Sequence, residues 1–112
     1  MPKIKVKLTI NNIIEEKQAN IKNDTITYTE ADNTKVSYSY KNNILKRENG
    51  DLKMVYNFDK GEGTISIKEL DSKINVKIKT KSIKRKDNNI KVEYEIEKNT
   101  FKYGIEEIKW VY

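Results

Sequence analysis

Ile90-Lys91-Val92-Glu93-Tyr94-Glu95-Ile96 decides the fold of this chain. Apolar and polar side chains alternate along it without a break. A period of two is the mark of a strand with one face buried and the other wet. The same alternation runs through Ile4-Val6-Leu8-Ile10, Val36-Tyr38-Tyr40 and Leu52-Met54-Tyr56-Phe58. It continues in Ile74-Val76-Ile78 and Ile108-Trp110-Tyr112. Between these runs lie short polar breaks: Lys22-Asn23-Asp24, Ala31-Asp32-Asn33, Lys41-Asn42-Asn43, Asn49-Gly50, Asp59 to Gly63, Leu70 to Lys73, Lys84 to Asn89 and Lys98-Asn99-Thr100. Asn49-Gly50 is the best turn signal, because both residues accept the positive φ of a two-residue hairpin loop. Breaks about every 8–12 residues suit a sandwich or barrel. None reaches the dozen or so residues that a parallel crossover needs. The expectation is one all-β domain over residues 1–112, a single antiparallel meander β-barrel of roughly 8–10 strands. Asn12 to Lys22 reads equally as a helix, with Asn12 and Glu15 forming a capping box, or as a bent strand.

Composition removes several chemistries. The 112 residues include no cysteine and no histidine. A disulfide framework, a thiolate metal site and any Ser-His-Asp or Cys-His machine are therefore excluded within this chain. No metal and no cofactor is expected. Glu15-Glu16 and Glu106-Glu107 are adjacent in sequence, so on strands they point to opposite faces and cannot flank a substrate as paired acids. Gly61-Glu62-Gly63 is too short for a phosphate cradle and opens no helix. The expectation is a protein that is not an enzyme. At the N-terminus lysine interleaves with each apolar residue, where a signal peptide needs about seven continuous apolar residues and a membrane helix about twenty. A cytoplasmic location without a membrane span is expected.

The net charge of +6 invites a nucleic-acid reading, but lysine outnumbers arginine 21 to 2. Lys, Asn and Ile, all encoded by AT-rich codons, make up 50 of the 112 residues. Readers of phosphate and guanine favour the bidentate fork of arginine. A solvated surface is the simpler explanation, and nucleic acid is an unexpected partner. Residues 72–86 carry seven basic side chains and no acid, while Glu93, Glu95 and Glu97 follow on the next polar face. Folding the two runs about Asp87-Asn88-Asn89 predicts Lys79 beside Glu93, Lys77 beside Glu95, Ile78 beside Tyr94 and Val76 beside Ile96. Lys84, Arg85 and Lys86 then stand uncompensated at the tip of the 77–86 hairpin. They are the candidate contacts for an anion, RNA or an acidic protein, which is the alternative function.

Parity puts Tyr28, Tyr38, Tyr40, Tyr56, Tyr94 and Tyr112 on the apolar face with Met54, Phe58 and Trp110. Closing a barrel turns that face inward, and a small barrel is either filled by side chains or holds one small ligand. Each buried phenol needs a hydrogen-bond partner. Either the rings fill the core with hydroxyls snorkelling to the ends, or Tyr28, Tyr38, Tyr40, Met54, Tyr56, Phe58, Tyr94 and Trp110 line a pocket for a small apolar or amphipathic molecule. A stacking platform for single-stranded nucleic acid would need these aromatics beside the lysines, and parity sets the lysines on the other face.

The stretch from Asn43 to Tyr112 resembles the YwiB-like family of small bacterial calycin-like β-barrel proteins. The residues that carry the resemblance are Gly50, Met54, Phe58 and Gly61, then Thr80-Lys81-Ser82-Ile83, the Ile90–Ile96 run and Gly104. Where the family carries an arginine two residues before the glycine, this chain has Glu48, with Arg47 beside it. The resemblance implies a barrel shaped like those of lipocalins and fatty-acid-binding proteins. It does not imply their activity.

Overall fold

A computed structural model describes residues 3–86 and 89–108. Trp110 and Tyr112 lie outside the described residues. The strands are β1 (Lys3–Ile10), β2 (Ile13–Lys22), β3 (Thr25–Thr29), β4 (Lys35–Ser39), β5 (Ile44–Asn49), β6 (Leu52–Asn57), β7 (Glu62–Ile67), β8 (Ser72–Lys77), β9 (Lys79–Lys86), β10 (Asn89–Ile96) and β11 (Asn99–Ile108). They form one antiparallel sheet in the order β8-β7-β6-β5-β4-β3-β2-β1-β11-β10-β9, a meander nearly closed into a barrel. The period-two pattern produces this directly. Val6, Leu8, Ile26, Tyr38, Leu45, Ile90, Val92 and Ile105 are almost fully buried, and the residues between them face outward.

The strand count exceeds the expected range because β8 and β9 are two halves of one long stave. Its first half pairs with β7 and its second with β10, and the chain changes neighbour at Ile78. There the Ile78 N–H donates to the Gly61 carbonyl at 2.9 Å, and the Thr80 hydroxyl donates to the Phe58 carbonyl at 2.7 Å. These bonds draw the stave against the β6–β7 turn and narrow the seam of the barrel. Gly61 makes the approach possible. Its φ is +68°, and a Cβ there would sit 2.7 Å from the Ile78 carbonyl oxygen.

Several local expectations change. Residues 13–22 are a strand, paired with β1 from Lys3↔Asn20 to Ile10↔Ile13. Partner strands on both sides outweigh the short-range capping pattern, since most helical stability comes from packing that this segment would forgo. The β5–β6 loop is Gly50-Asp51, because Asn49 pairs with Leu52. The hairpin register also differs. Asn89 pairs with Lys86, and a bulge between Glu93 and Tyr94 then moves Glu95 opposite Lys79. The cross-strand ion pair formed is Lys81–Glu95 at 3.4 Å. Val76 lies opposite Gly63 of β7, not beside Ile96. Glu93 already lies opposite Ser82, three residues from the expected Lys79, and the bulge shifts only the pairings beyond it, by one residue.

Alternate connections fall at opposite ends of the barrel. The β1–β2, β3–β4, β5–β6, β7–β8 and β10–β11 turns gather at one end, here the upper mouth. The β2–β3, β4–β5, β6–β7 and β9–β10 connections gather at the lower end.

Candidate functional site at the upper mouth

The interior is stacked with aromatic rings, and their depth divides the expected pocket residues into two groups. Tyr38, Tyr40 and Phe58 fill the lower core, at 0%, 2% and 2% exposure. The Tyr38 ring packs against Tyr40, Tyr103 and Phe58 with centroids 5.7, 5.8 and 6.4 Å apart. Its hydroxyl reaches the lower rim, donating to Asn43 Oδ1 at 3.0 Å. These three residues therefore serve as core, with the Tyr38 hydroxyl turned to the barrel end.

Tyr28, Met54, Tyr56 and Tyr94 lie higher and do meet around a cavity. Its volume is about 210 Å³, and Ile10, Leu45, Phe101 and Tyr103 supply the rest of its apolar wall. That is below the ~300 Å³ lower end of ordinary ligand pockets. Gly63 seats one wall. It stands opposite Tyr56 across the β6–β7 ladder, and a Cβ there would come 2.6 Å from Tyr56 Cδ1. The absence of a side chain lets the Tyr56 ring lie flat over the neighbouring strand. Tyr94 meets Tyr56 edge-on at 6.0 Å, lies tilted against Phe58 at 4.9 Å and stacks on Phe101 at 5.5 Å.

The polar groups of the mouth are phenols and one ion pair. Tyr28 and Tyr103 share a hydrogen bond, 2.7 Å between their oxygens. Arg47 follows Leu45 on the inner face of β5, opposite Val36 and Met54. Its Nε donates to Glu30 Oε1 at 3.0 Å, and its Nη2 donates to the same oxygen. Among the described residues, Arg47 Nη1 and the hydroxyls of Tyr56 and Tyr94 have no protein partner. No partnerless polar side-chain atom is sealed from solvent among the described residues, so the two hydroxyls are reachable by solvent.

Burial pushes the hydroxyls of Tyr28 and Tyr94 up to about 12, with the nearby Arg47 charge pulling weakly the other way. Burial also raises Tyr56, and drives Tyr103 well above its ordinary value. At neutral pH the phenols are therefore protonated donors. Among the described residues no group of three or more acidic side chains could hold a metal ion. The arrangement suits non-covalent recognition of a molecule with an apolar body and an acceptor-bearing end.

Sequence reasoning named Arg47 only as the neighbour of Glu48 and passed over Glu30, Phe101 and Tyr103. Phe101, Tyr103 and Ile105 alternate with Lys102 and Gly104, so the parity signal was there. The arginines carried a signal as well. In a chain that uses lysine nearly everywhere, both Arg47 and Arg85 turn to the inner side. Arg85 lies opposite Ile90, donates from Nη1 to the Tyr40 carbonyl at 2.6 Å and sits 5.9 Å from the centre of the Tyr40 ring. It caps the lower end, where a planar fork can bond and stack at once. Of the three basic residues expected at the hairpin tip, Lys84 and Lys86 share the outer face and Arg85 points away from them.

No family model, curated protein or solved structure matches this chain. The resemblance to the YwiB-like family thus rests on the residues quoted for it. No helix among the described residues is long and apolar enough to cross a membrane.

Proposed function

We propose that this protein is a non-catalytic binder of a small apolar or amphipathic molecule at the upper mouth of the barrel. The observation that carries the reading is the convergence of three free donors, Tyr56 Oη, Tyr94 Oη and Arg47 Nη1, on a cavity otherwise walled by Ile10, Leu45, Met54 and Phe101. The few polar points would orient the ligand and the apolar wall would supply most of its affinity. The free donors favour a ligand with a carbonyl, carboxylate or similar acceptor at one end. The mouth is a better site than the basic hairpin, because Arg85 is committed to Tyr40.

Native mass spectrometry on protein purified gently from cells, compared with the denatured mass, tests occupancy. A discrete extra mass lost on denaturation supports the reading. Titration with the amphiphilic probe anilinonaphthalene sulfonate then tests the site. Tyr56→Phe and Tyr94→Phe should each weaken the probe by up to about tenfold, the worth of one hydrogen bond, with stability unchanged. Equal affinity in both variants, with no native extra mass, would rule the pocket out.

A further inference from the structure

We infer that this chain associates with a second copy of itself through the free edge of β8, the two strands running antiparallel about a two-fold axis at Ile74. β8 is bonded to β7 on one side and ends the sheet on the other. An edge strand offers a row of unpaired N–H and C=O groups to another chain.

The sheet ends in two free edges, and they differ in what they would accept. β9 carries Lys79, Lys81, Lys84, Arg85 and Lys86 with no acid. Pairing β9 with its own copy brings these charges together. Among the described residues Lys81 alone of them is in an ion pair, to Glu95 of β10, and such a charged edge is a usual way of guarding a sheet. β8 is less guarded. Centred on Ile74, an antiparallel pair sets Ile74 opposite Ile74 of the second copy, Lys73 opposite Asn75, Ser72 opposite Val76 and Asp71 opposite Lys77. Asp71 and Lys77 make no ion pair within the chain among the described residues. The symmetric pairing would give each a partner, twice per dimer. Moving the axis to Asn75 would set Lys73 against Lys77 instead, so charge selects the register.

Hydrophobic exposure points to the same place. Ile74 is 52% exposed and lies opposite Ile65, which lies opposite Met54. Leu52, 47% exposed, lies opposite Ile67 in the next row of the same face. The Ile74–Ile74 contact would join two such faces into one apolar layer.

Sedimentation equilibrium on the full chain tests this. The wild type should pass from monomer to dimer as concentration rises. Ile74→Lys, which puts two lysines on the axis, should remain monomeric. Asp71→Asn tolerates the φ of +45° at that position and removes both charge pairs. It should weaken the dimer about two- to thirty-fold and abolish most of its salt dependence. Ile13→Lys alters an isoleucine that is 64% exposed on β2, six strands from β8 in the sheet, and should leave the dimer intact. A wild type that stays monomeric would overturn the inference. So would a dimer that survives both β8 substitutions, or one that Ile13→Lys dissolves. Should Ile74→Lys fail to fold, Asp71→Asn still decides the question.

Discussion

The Tyr28–Tyr103 hydroxyl pair provides a measurement of how this core is held together. Both rings are 5% exposed, and their oxygens lie 2.7 Å apart. Tyr28→Phe removes one oxygen and leaves the Tyr103 hydroxyl buried without a partner. Such an orphan costs about 1–3 kcal/mol, more than the net worth of the bond it replaces. Tyr103→Phe should cost less than Tyr28→Phe, because Tyr103 is the more deeply desolvated of the two and its orphaned hydroxyl is the harder to hydrate. In Tyr28→Phe/Tyr103→Phe neither hydroxyl remains to be satisfied, so the double variant should be destabilised by clearly less than the sum of the singles. The coupling should reach about 1–2 kcal/mol. Equilibrium urea unfolding reads this as a midpoint shift of ~1 M for the worse single variant, with the slope unchanged. Additive single and double variants would refute the reasoning and show that water, not the partner phenol, satisfies each hydroxyl.

Three further outcomes follow from the same structure. Tyr28, Tyr40 and Tyr94 are pushed up to about 12 by burial, so the fold holds their protons beyond the usual value of 10. Their contribution is complete below pH 10 and is lost as pH rises from about 10 to 12. Phenolate absorbance should therefore rise together with loss of β circular dichroism, and titration of every phenol near pH 10 with the fold intact would contradict this. The β10–β11 loop holds Glu97 and Lys98 at φ of +49° and +71°, both in the left-handed region. Replacing them by Asn and Gly should stabilise the protein by about 1 kcal/mol, raising Tm by about 4 °C in a thermal scan. Gly61→Ala should destabilise it by at least ~2 kcal/mol in urea unfolding, since the added methyl meets the Ile78 carbonyl at a positive φ.

The two arginines show where sequence reading loses its hold on the site. The inward direction of Arg47 is legible, because Arg47 and Leu45 share the parity of β5. Its partner is not, because Glu30 lies in the β3–β4 turn, 17 residues earlier, and reaches Arg47 across β4. The tyrosines repeat the lesson. Alternation places Tyr38 and Tyr94 on one face and says nothing of height along the barrel, which makes one a core residue and the other a wall of the mouth. The hairpin register departs from expectation from its first pair, Asn89 with Lys86, and the bulge before Tyr94, which no local composition announces, shifts it once more.

The all-β class, the antiparallel meander and the inner face were legible in the alternation alone, because a two-residue hydrophobic period is local and acts through burial one strand at a time. Tertiary structure alone decided the switch of β8–β9 from one neighbour to the other at Ile78 and the depth of each ring. It also decided the meeting of Tyr56, Tyr94 and Arg47 at one mouth, and that β8 and β9 end the sheet. Those features depend on the stagger accumulated over every ladder of the sheet. A single bulge or a close approach at Gly61 resets that stagger for the rest of the barrel.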